Sequence, residues 1–151
     1  MDPADFLTTD LHVETKEQAL RHLSGLMAEK GAVTDMHTTA ILQREAQFPT
    51  GLPVTPYGVA IPHTDGTYVL KPQLAFASLK NPVVFQEMGN RSREIQVTFI
   101  FMLALQDADA HLTLLQTILG CLQNRSFVRE LKNVQTSKGL VELVEENAER
   151  G

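Results

Sequence analysis

Apolar residues recur three and four positions apart over residues 16–29, which is the spacing of one face of a helix. Thr15 and Gln18 flank the start of this stretch as in a capping box, in which each side chain accepts a hydrogen bond from the other residue's backbone N–H. A second helix is predicted over 35–47, and Pro49 prevents its continuation. The first third of the chain is therefore predicted to hold two helices.

Short apolar runs separated by turn residues dominate the middle of the chain. Residues 59–61, 74–79 and 95–105 have the length and the β-branched and aromatic content of strands. Residues 48–53 contain two prolines and a glycine, so this segment is predicted to be irregular. The turns between the strands are expected, in chain order, at Pro72, Pro82 and Gly89.

Helical spacing returns in the last third of the chain. Residues 108–123 are predicted to form a helix with Asp107 or Asp109 as its N-cap. Ser126 is expected to cap a short helix, and Ser137 to cap a last one. The inward face of the helix predicted over 108–123 is expected to consist of four leucines, Leu112, Leu115, Leu119 and Leu122.

Helices, then strands, then helices predict an α/β protein in which helices pack on one sheet. The length suits a single domain over residues 1–151. A net charge of -5 without any run of basic residues argues against a nucleic-acid partner. No apolar run reaches the length of a membrane span and no signal-peptide pattern is visible, so we expect a cytoplasmic protein without membrane insertion.

His63 is the first candidate for chemistry. It follows the predicted strand 59–61 and Pro62, whose fixed φ directs the chain out of the strand. A histidine in a loop at a strand end is well placed for function. From these residues alone, an exposed loop histidine without a role is the simpler interpretation.

Arg44 and His111 are the next candidates. The planar guanidinium of Arg44 can hold two phosphate oxygens, although the residue also suits a solvated helix end. His111 lies in the first turn of the helix after the long strand, where free N–H groups favour anions. It is alternatively a partly buried histidine with ordinary partners. His63 and His111 lack an obvious third ligand, so we expect no metal site.

Two stretches together carry a resemblance. REAQFPTGL, from Arg44 to Leu52, and VAIPH, from Val59 to His63, resemble the signature of the fructose/mannitol-type IIA family of the sugar phosphotransferase system. The resemblance covers nearly the whole chain, and the spacing is most similar to the galactitol-type branch. It implies an α/β fold with a mixed, mainly parallel five-stranded sheet flanked by helices.

In that family the histidine of the Pro-His pair accepts phosphate from the carrier protein HPr. It passes the phosphate to a cysteine of the sugar-specific IIB component, which serves a membrane IIC component. The resemblance thus implies a phosphotransferase component for sugar or alditol uptake, with galactitol as the indicated alditol and no cofactor. By this resemblance His63 carries the phosphate and Arg44 and His111 assist it, with binding contacts at Thr50, Gly51, Leu52 and Pro62.

Some questions stay open at this point. A regulatory IIA paralogue, whose phosphorylation state controls a partner protein, would use the same histidine. The group that holds the proton of the other His63 ring nitrogen is not given by the sequence, and Asp65 is one candidate. Cys121 is expected to be a core thiol, since it lies among leucines in a predicted helix. The remaining histidines are expected to be solvated, and these are His12, His22 and His37.

Overall fold

The structure, a computed structural model, describes residues 2–150, and it describes side chains as far as residue 147. Short 3-10 turns precede the first strand, follow His63 and follow the fourth helix. The helices and strands run in the order β1 (Phe6–Leu11), α1 (Lys16–Glu29), α2 (His37–Gln47), β2 (Gly51–Leu52), β3 (Gly58–Ala60), β4 (Gln73–Glu87), β5 (Asn90–Ala104), α3 (Ala108–Leu122), α4 (Arg125–Glu130) and α5 (Ser137–Arg150).

One mixed sheet contains β1 to β5. β4 pairs in parallel with β1 and antiparallel with β5, while β5 pairs in parallel with β3. β3 pairs antiparallel with the short β2, which also meets the end of β4 in parallel, Gly51 opposite Glu87. Three of these five pairings are parallel, and helices flank the sheet, so the predicted fold class is confirmed.

Both faces of the sheet are covered. Along β4, Ala75 and Ala77 pack toward the cluster that includes α1 and α2, whereas Phe76 packs toward the cluster that includes α3, α4 and α5. Along β5, Ile100 packs toward the cluster that includes α1 and α2, and Phe99 packs toward the cluster that includes α3, α4 and α5. Alternate residues point to opposite faces of a strand, so a sheet covered twice needs apolar residues at both sets of positions. This explains the unbroken apolar runs in the sequence.

The helix predictions for the first part of the chain are largely confirmed. α1 has the predicted bounds, and its Thr15–Gln18 capping box is formed in full. α2 begins at His37, two residues later than expected, and ends at Gln47 before Pro49. The strand β1 was not predicted, because two threonines and an aspartate follow Phe6 and Leu7 and hide the strand pattern.

Pro82 does not mark a turn, and the prediction of one there was wrong. β4 continues through Pro82 to Glu87, with an irregular register against β5 between Ser78 and Val83. Proline lacks a backbone N–H, so a strand can contain it where a bulge interrupts the hydrogen-bonded ladder. The hairpin turns instead at Gly89, whose φ of 81° suits glycine.

The helices after the sheet differ in detail from the predictions. Asp107 is the N-cap of α3, as one of the two predicted alternatives. The buried face of α3 is centred on Ile118, Cys121 and Leu122, whereas Leu112 is 53% exposed, so the predicted leucine face was wrong at that end. The face is rotated because the sheet and α5 approach α3 from the side of Cys121.

Two predicted serine caps were also wrong. Asn124, not Ser126, caps α4 by accepting a hydrogen bond from the Ser126 N–H. At the start of α5, Thr136 Oγ1 accepts from the Gly139 N–H, while Ser137 Oγ donates to the carbonyl of Phe6. Ser137 thus ties α5 to β1. In the part of the chain that the structure describes, no helix has the length and apolarity needed to span a membrane.

Candidate active site

A pocket of about 400 Å³ opens where the chain leaves β3 and β5 and enters α3. It brings together the three side chains singled out from the sequence, Arg44, His63 and His111, from three separate segments. The remaining lining residues belong to the two loops that follow the strands and to the first turn of α3, and they are Thr64, Asp65, Gly66, Leu105, Gln106 and Ala108.

The sheet places His63 at this edge. β3 runs parallel to β5, and the pairing extends past β3 as a bridge between His63 and Leu103, with the Leu103 N–H donating to the Pro62 carbonyl at 3.1 Å. The loop beyond His63 then presses against the β5–α3 connection. A Cβ at Gly66 would lie 2.6 Å from the Gln106 carbonyl oxygen, so glycine allows this approach.

A backbone carbonyl orients the His63 ring. His63 Nδ1 lies 2.8 Å from the carbonyl oxygen of Ile61. A carbonyl can only accept, so Nδ1 carries a proton in this geometry, and in the neutral ring Nε2 then holds the lone pair. Asp65, the candidate considered from the sequence, has another role: its carboxylate accepts hydrogen bonds from the Thr67 hydroxyl and N–H, and these bonds lower its pKa.

His111 stands edge-on to His63. The two ring centroids are 5.1 Å apart with an interplanar angle of 63°. Burial, and to a lesser extent the neighbouring His63, lower the pKa of His111, which keeps its ring neutral near pH 7. Within the described structure, His111 Nε2 is buried without a hydrogen-bond partner. Leaving a buried polar atom unpaired costs free energy, which a bound partner in the pocket would recover.

Arg44 reaches the pocket from the last turn of α2. Its guanidinium carbon lies 4.2 Å from the centre of the Phe48 ring, which is a cation–π contact. The N–H groups of a guanidinium can hold two oxygen atoms of a phosphoryl group at once. Phe48 itself is 55% exposed, so it extends the pocket rim with an apolar surface.

Sequence reasoning missed Glu45. It is only 2% exposed, and both oxygens of its carboxylate accept hydrogen bonds from Thr50, from the N–H at 2.8 Å and from the hydroxyl at 2.8 Å. Burial raises its pKa to about 7 despite these bonds. The sequence carried one signal for the burial of Glu45. His37, Ile41 and Glu45 are four residues apart, so they lie on one face of α2, and all three are buried.

The four predicted binding residues do not line the pocket. The Thr50 N–H is occupied by Glu45 and is not free for a phosphate. Gly51 is buried in β2, and a Cβ there would lie 2.5 Å from the Gln86 carbonyl oxygen. Leu52 is partly buried against the core beside α3, and Pro62 is buried next to His63. These residues form a support behind the pocket.

The other candidates divide into two groups. His12 and His22 are exposed as expected, and Cys121 is a buried thiol whose pKa is raised by burial. The expectation of a solvated His37 was wrong. His37 is fully buried, its Nδ1 lies 2.8 Å from Ser24 Oγ, and burial lowers its pKa to about 4.

Comparison with known proteins identifies the wider group. Residues 3–147 match the family model described as phosphoenolpyruvate-dependent sugar phosphotransferase system, EIIA 2. The galactitol-specific EIIA component of Escherichia coli strain K12 is 27% identical over 126 residues, which cover 83% of each chain. The nitrogen regulatory protein of Klebsiella oxytoca is 26% identical over 140 residues, covering 91% of this chain and 83% of that protein.

A solved structure shares the fold. It is the complex of enzyme IIAMTL and phosphorylated enzyme IIBMTL from Escherichia coli, and its matching chain superimposes with a TM-score of 0.76. The sequence identity is 20%, and the match covers 97% of both chains. At this identity the likeness concerns the arrangement of helices and strands.

Proposed function

The chain belongs to the EIIA 2 family of the phosphoenolpyruvate-dependent sugar phosphotransferase system, and on that premise we propose that it carries a phosphoryl group on Nε2 of His63. The observation that carries the proposal is the 2.8 Å contact between His63 Nδ1 and the Ile61 carbonyl, which leaves Nε2 as the nucleophilic nitrogen. A neutral imidazole needs no activating base near pH 7.

The proposed reaction has two halves. The lone pair of His63 Nε2 attacks the phosphorus of a phosphohistidine donor, and the donor nitrogen leaves with the electron pair of the broken P–N bond. In the second half, a cysteine thiolate attacks the same phosphorus, and His63 recovers its lone pair. Little else is needed beyond alignment and stabilisation of the charge on the phosphoryl oxygens.

The proposed donor is the carrier protein HPr, and the proposed acceptor is the cysteine of a IIB component that serves a membrane IIC component. The fold neighbour from Escherichia coli is itself a complex with a phosphorylated IIB protein. On this chain, Phe48 and Leu112 are large exposed apolar residues close in sequence to Arg44 and His111. They offer a small apolar contact area beside the pocket, suited to transient docking.

For the transported substrate we propose galactitol, which the galactitol-specific relative supports. The proposed role places the chain in the cytoplasm, acting as one domain over residues 1–151. A second candidate function is regulation, because the nitrogen regulatory protein is similarly related. In that case the phosphorylation state of His63 would control a partner protein instead of supplying a IIB cysteine.

One experiment tests the proposal directly. The protein is incubated with phosphoenolpyruvate, enzyme I and HPr, and its intact mass is measured. We expect a gain of one phosphoryl group, which is lost again when a galactitol-type IIB protein is added. No mass gain would refute phosphoryl carriage, whereas a gain that no IIB protein removes would favour the regulatory function.

The substitution Arg44→Lys should slow phosphorylation by at least about tenfold, or about 1.4 kcal/mol of transition-state stabilisation. Lysine keeps the charge but loses the planar guanidinium, which can bind two oxygens at once and which contacts the Phe48 ring. Arg44 is exposed, so we expect little change in melting temperature. Rapid-quench kinetics with phospho-HPr measure the rate, with the exposed Arg91→Lys as the matched control. An unchanged rate would remove Arg44 from the site.

The substitution His111→Ala should leave phosphorylation of His63 intact but slow transfer to IIB by about ten- to a hundredfold. The reason is the loss of one hydrogen bond to a charged phosphoryl group, roughly 1.5–3 kcal/mol at most. His111→Gln retains a donor and should keep most of the activity. Rapid-quench assays of both half-reactions measure this. Wild-type transfer by His111→Ala would reduce His111 to a packing residue.

A further inference from the structure

The buried carboxylate of Glu45 needs an explanation. It follows the pocket residue Arg44 directly, but it points into the protein and does not line the pocket. Burying an ionisable group among apolar neighbours costs free energy that an apolar residue at this position would avoid. Both carboxylate oxygens are used on one residue, Thr50. The local function of Glu45 is therefore to hold Thr50 by its N–H and its hydroxyl.

Thr50 in turn holds the peptide of Ile61. Its hydroxyl donates to Glu45, so a lone pair of Oγ1 is free to accept the Ile61 N–H, at 3.2 Å. The carbonyl of Thr50 accepts the same N–H at 3.3 Å. The Glu45 carboxylate orients the hydroxyl, since a carboxylate accepts and the hydroxyl proton must point toward it.

Ile61 connects this network to the pocket. Its N–H is held by Thr50, and its carbonyl accepts the Nδ1–H of His63. Ile61 is fully buried, so its peptide has no water to replace either bond. The series of hydrogen bonds runs without a gap from the Glu45 carboxylate to the imidazole ring.

We propose that Glu45 is a positioning residue for His63, acting through Thr50 and Ile61 to fix which ring nitrogen carries the proton. This inference rests on the proposed function, in which Nε2 is the nucleophile. Loss of the network frees the Ile61 peptide to shift, weakens the Nδ1–H bond and lets the Nε2–H tautomer form. In that tautomer Nε2 has no lone pair for the phosphoryl group.

The test measures the tautomer first. Nitrogen-15 chemical shifts of the His63 ring are recorded on the unphosphorylated protein at about pH 8, where imidazole is neutral. Thr50→Val removes the hydroxyl at nearly constant shape, and Glu45→Gln removes one of the two acceptor oxygens. Both variants should raise the Nε2–H fraction, speed hydrogen exchange of the Ile61 amide and slow phosphorylation roughly three- to tenfold.

Two further variants separate positioning from general destabilisation. Thr50→Ser retains the hydroxyl and should restore the wild-type tautomer. Ser24→Ala removes another buried hydroxyl, one that contacts His37, and should lower stability without changing the His63 tautomer. Wild-type tautomer fractions in both Thr50→Val and Glu45→Gln would overturn the proposal. A shift in Thr50→Val alone would assign the role to Thr50 and overturn it for Glu45.

Failure of this inference is distinguishable from failure of the proposed function. If HPr does not phosphorylate the wild-type protein, the carrier function fails. The tautomer measurement, made without phosphate, still supports or overturns the positioning role of Glu45. If phosphorylation occurs but the tautomer does not respond to either variant, the carrier function stands and the role of Glu45 falls.

Discussion

A protein carrying His63→Ala will accept no phosphoryl group from phospho-HPr. Among the residues lining the pocket, only His63 and His111 are imidazoles, and the role proposed for His111 is a hydrogen bond to the phosphoryl group, not attack on it. The parallel pairing of β3 and β5 holds the His63 ring at the pocket, and alanine at position 63 has no ring nitrogen to accept the phosphoryl group there. The measurement is intact mass after incubation with phosphoenolpyruvate, enzyme I and HPr, at times long enough for complete labelling of the wild type.

The control is His22→Ala, which removes an exposed histidine from α1 and should be labelled as fast as the wild type. The wild-type label should also be lost in acid and retained in base, as expected of a phosphohistidine. A label on His63→Ala, or a wild-type label that survives acid, would place the phosphate on another residue and contradict the assignment of His63.

Local signals made part of this site predictable from the sequence. Pro62 restricts the backbone before His63, and Pro49 ends α2 just beyond Arg44, so both side chains were placed at the ends of elements. His111 in the first turn of α3 followed from the helical spacing. Each of these inferences used residues within a few positions of the side chain concerned.

Long-range packing decided what was missed. β1 is a strand because it pairs with β4, a partner some 70 residues away, and its own sequence shows no strict alternation. Pro82 lies within β4 at a point where the pairing with β5 is irregular, which composition does not reveal. The Ile61 carbonyl bonds to the His63 ring, and a backbone carbonyl has no sequence signature at all.

His37 and Glu45 were missed although their helical spacing places both on the face of α2 that includes the buried Ile41, and the consequences of their burial can be measured. Both are polar residues on the face of α2 that packs against the sheet and α1, and burial shifts their pKa values in opposite directions. For His37 the pKa falls from 6.5 to about 4, so folding stability is lost as the pH falls from 6.5 to 4. For Glu45 the pKa rises from 4.5 to about 7, so stability is lost as the pH rises from 4.5 to 7.

Each pKa shift changes the free energy of unfolding by about 3 kcal/mol over its pH window. Between pH 4.5 and 6.5 the two windows overlap, and the opposite pH dependences of the free energy of unfolding cancel. Single substitutions should therefore reveal opposite pH dependences in the free energy of unfolding from urea titrations. Relative to wild type, Glu45→Gln should gain about 3 kcal/mol as the pH rises from 4.5 to 7, and His37→Asn should gain about 3 kcal/mol as it falls from 6.5 to 4.

The pH dependence of the unfolding free energy is the test, because hydrogen bonds lost in a variant add an offset that does not depend on pH. The double variant should match the wild-type slope in the overlap, and a Glu45→Gln curve parallel to wild type would show that Glu45 ionises in the folded protein as it does in the unfolded chain.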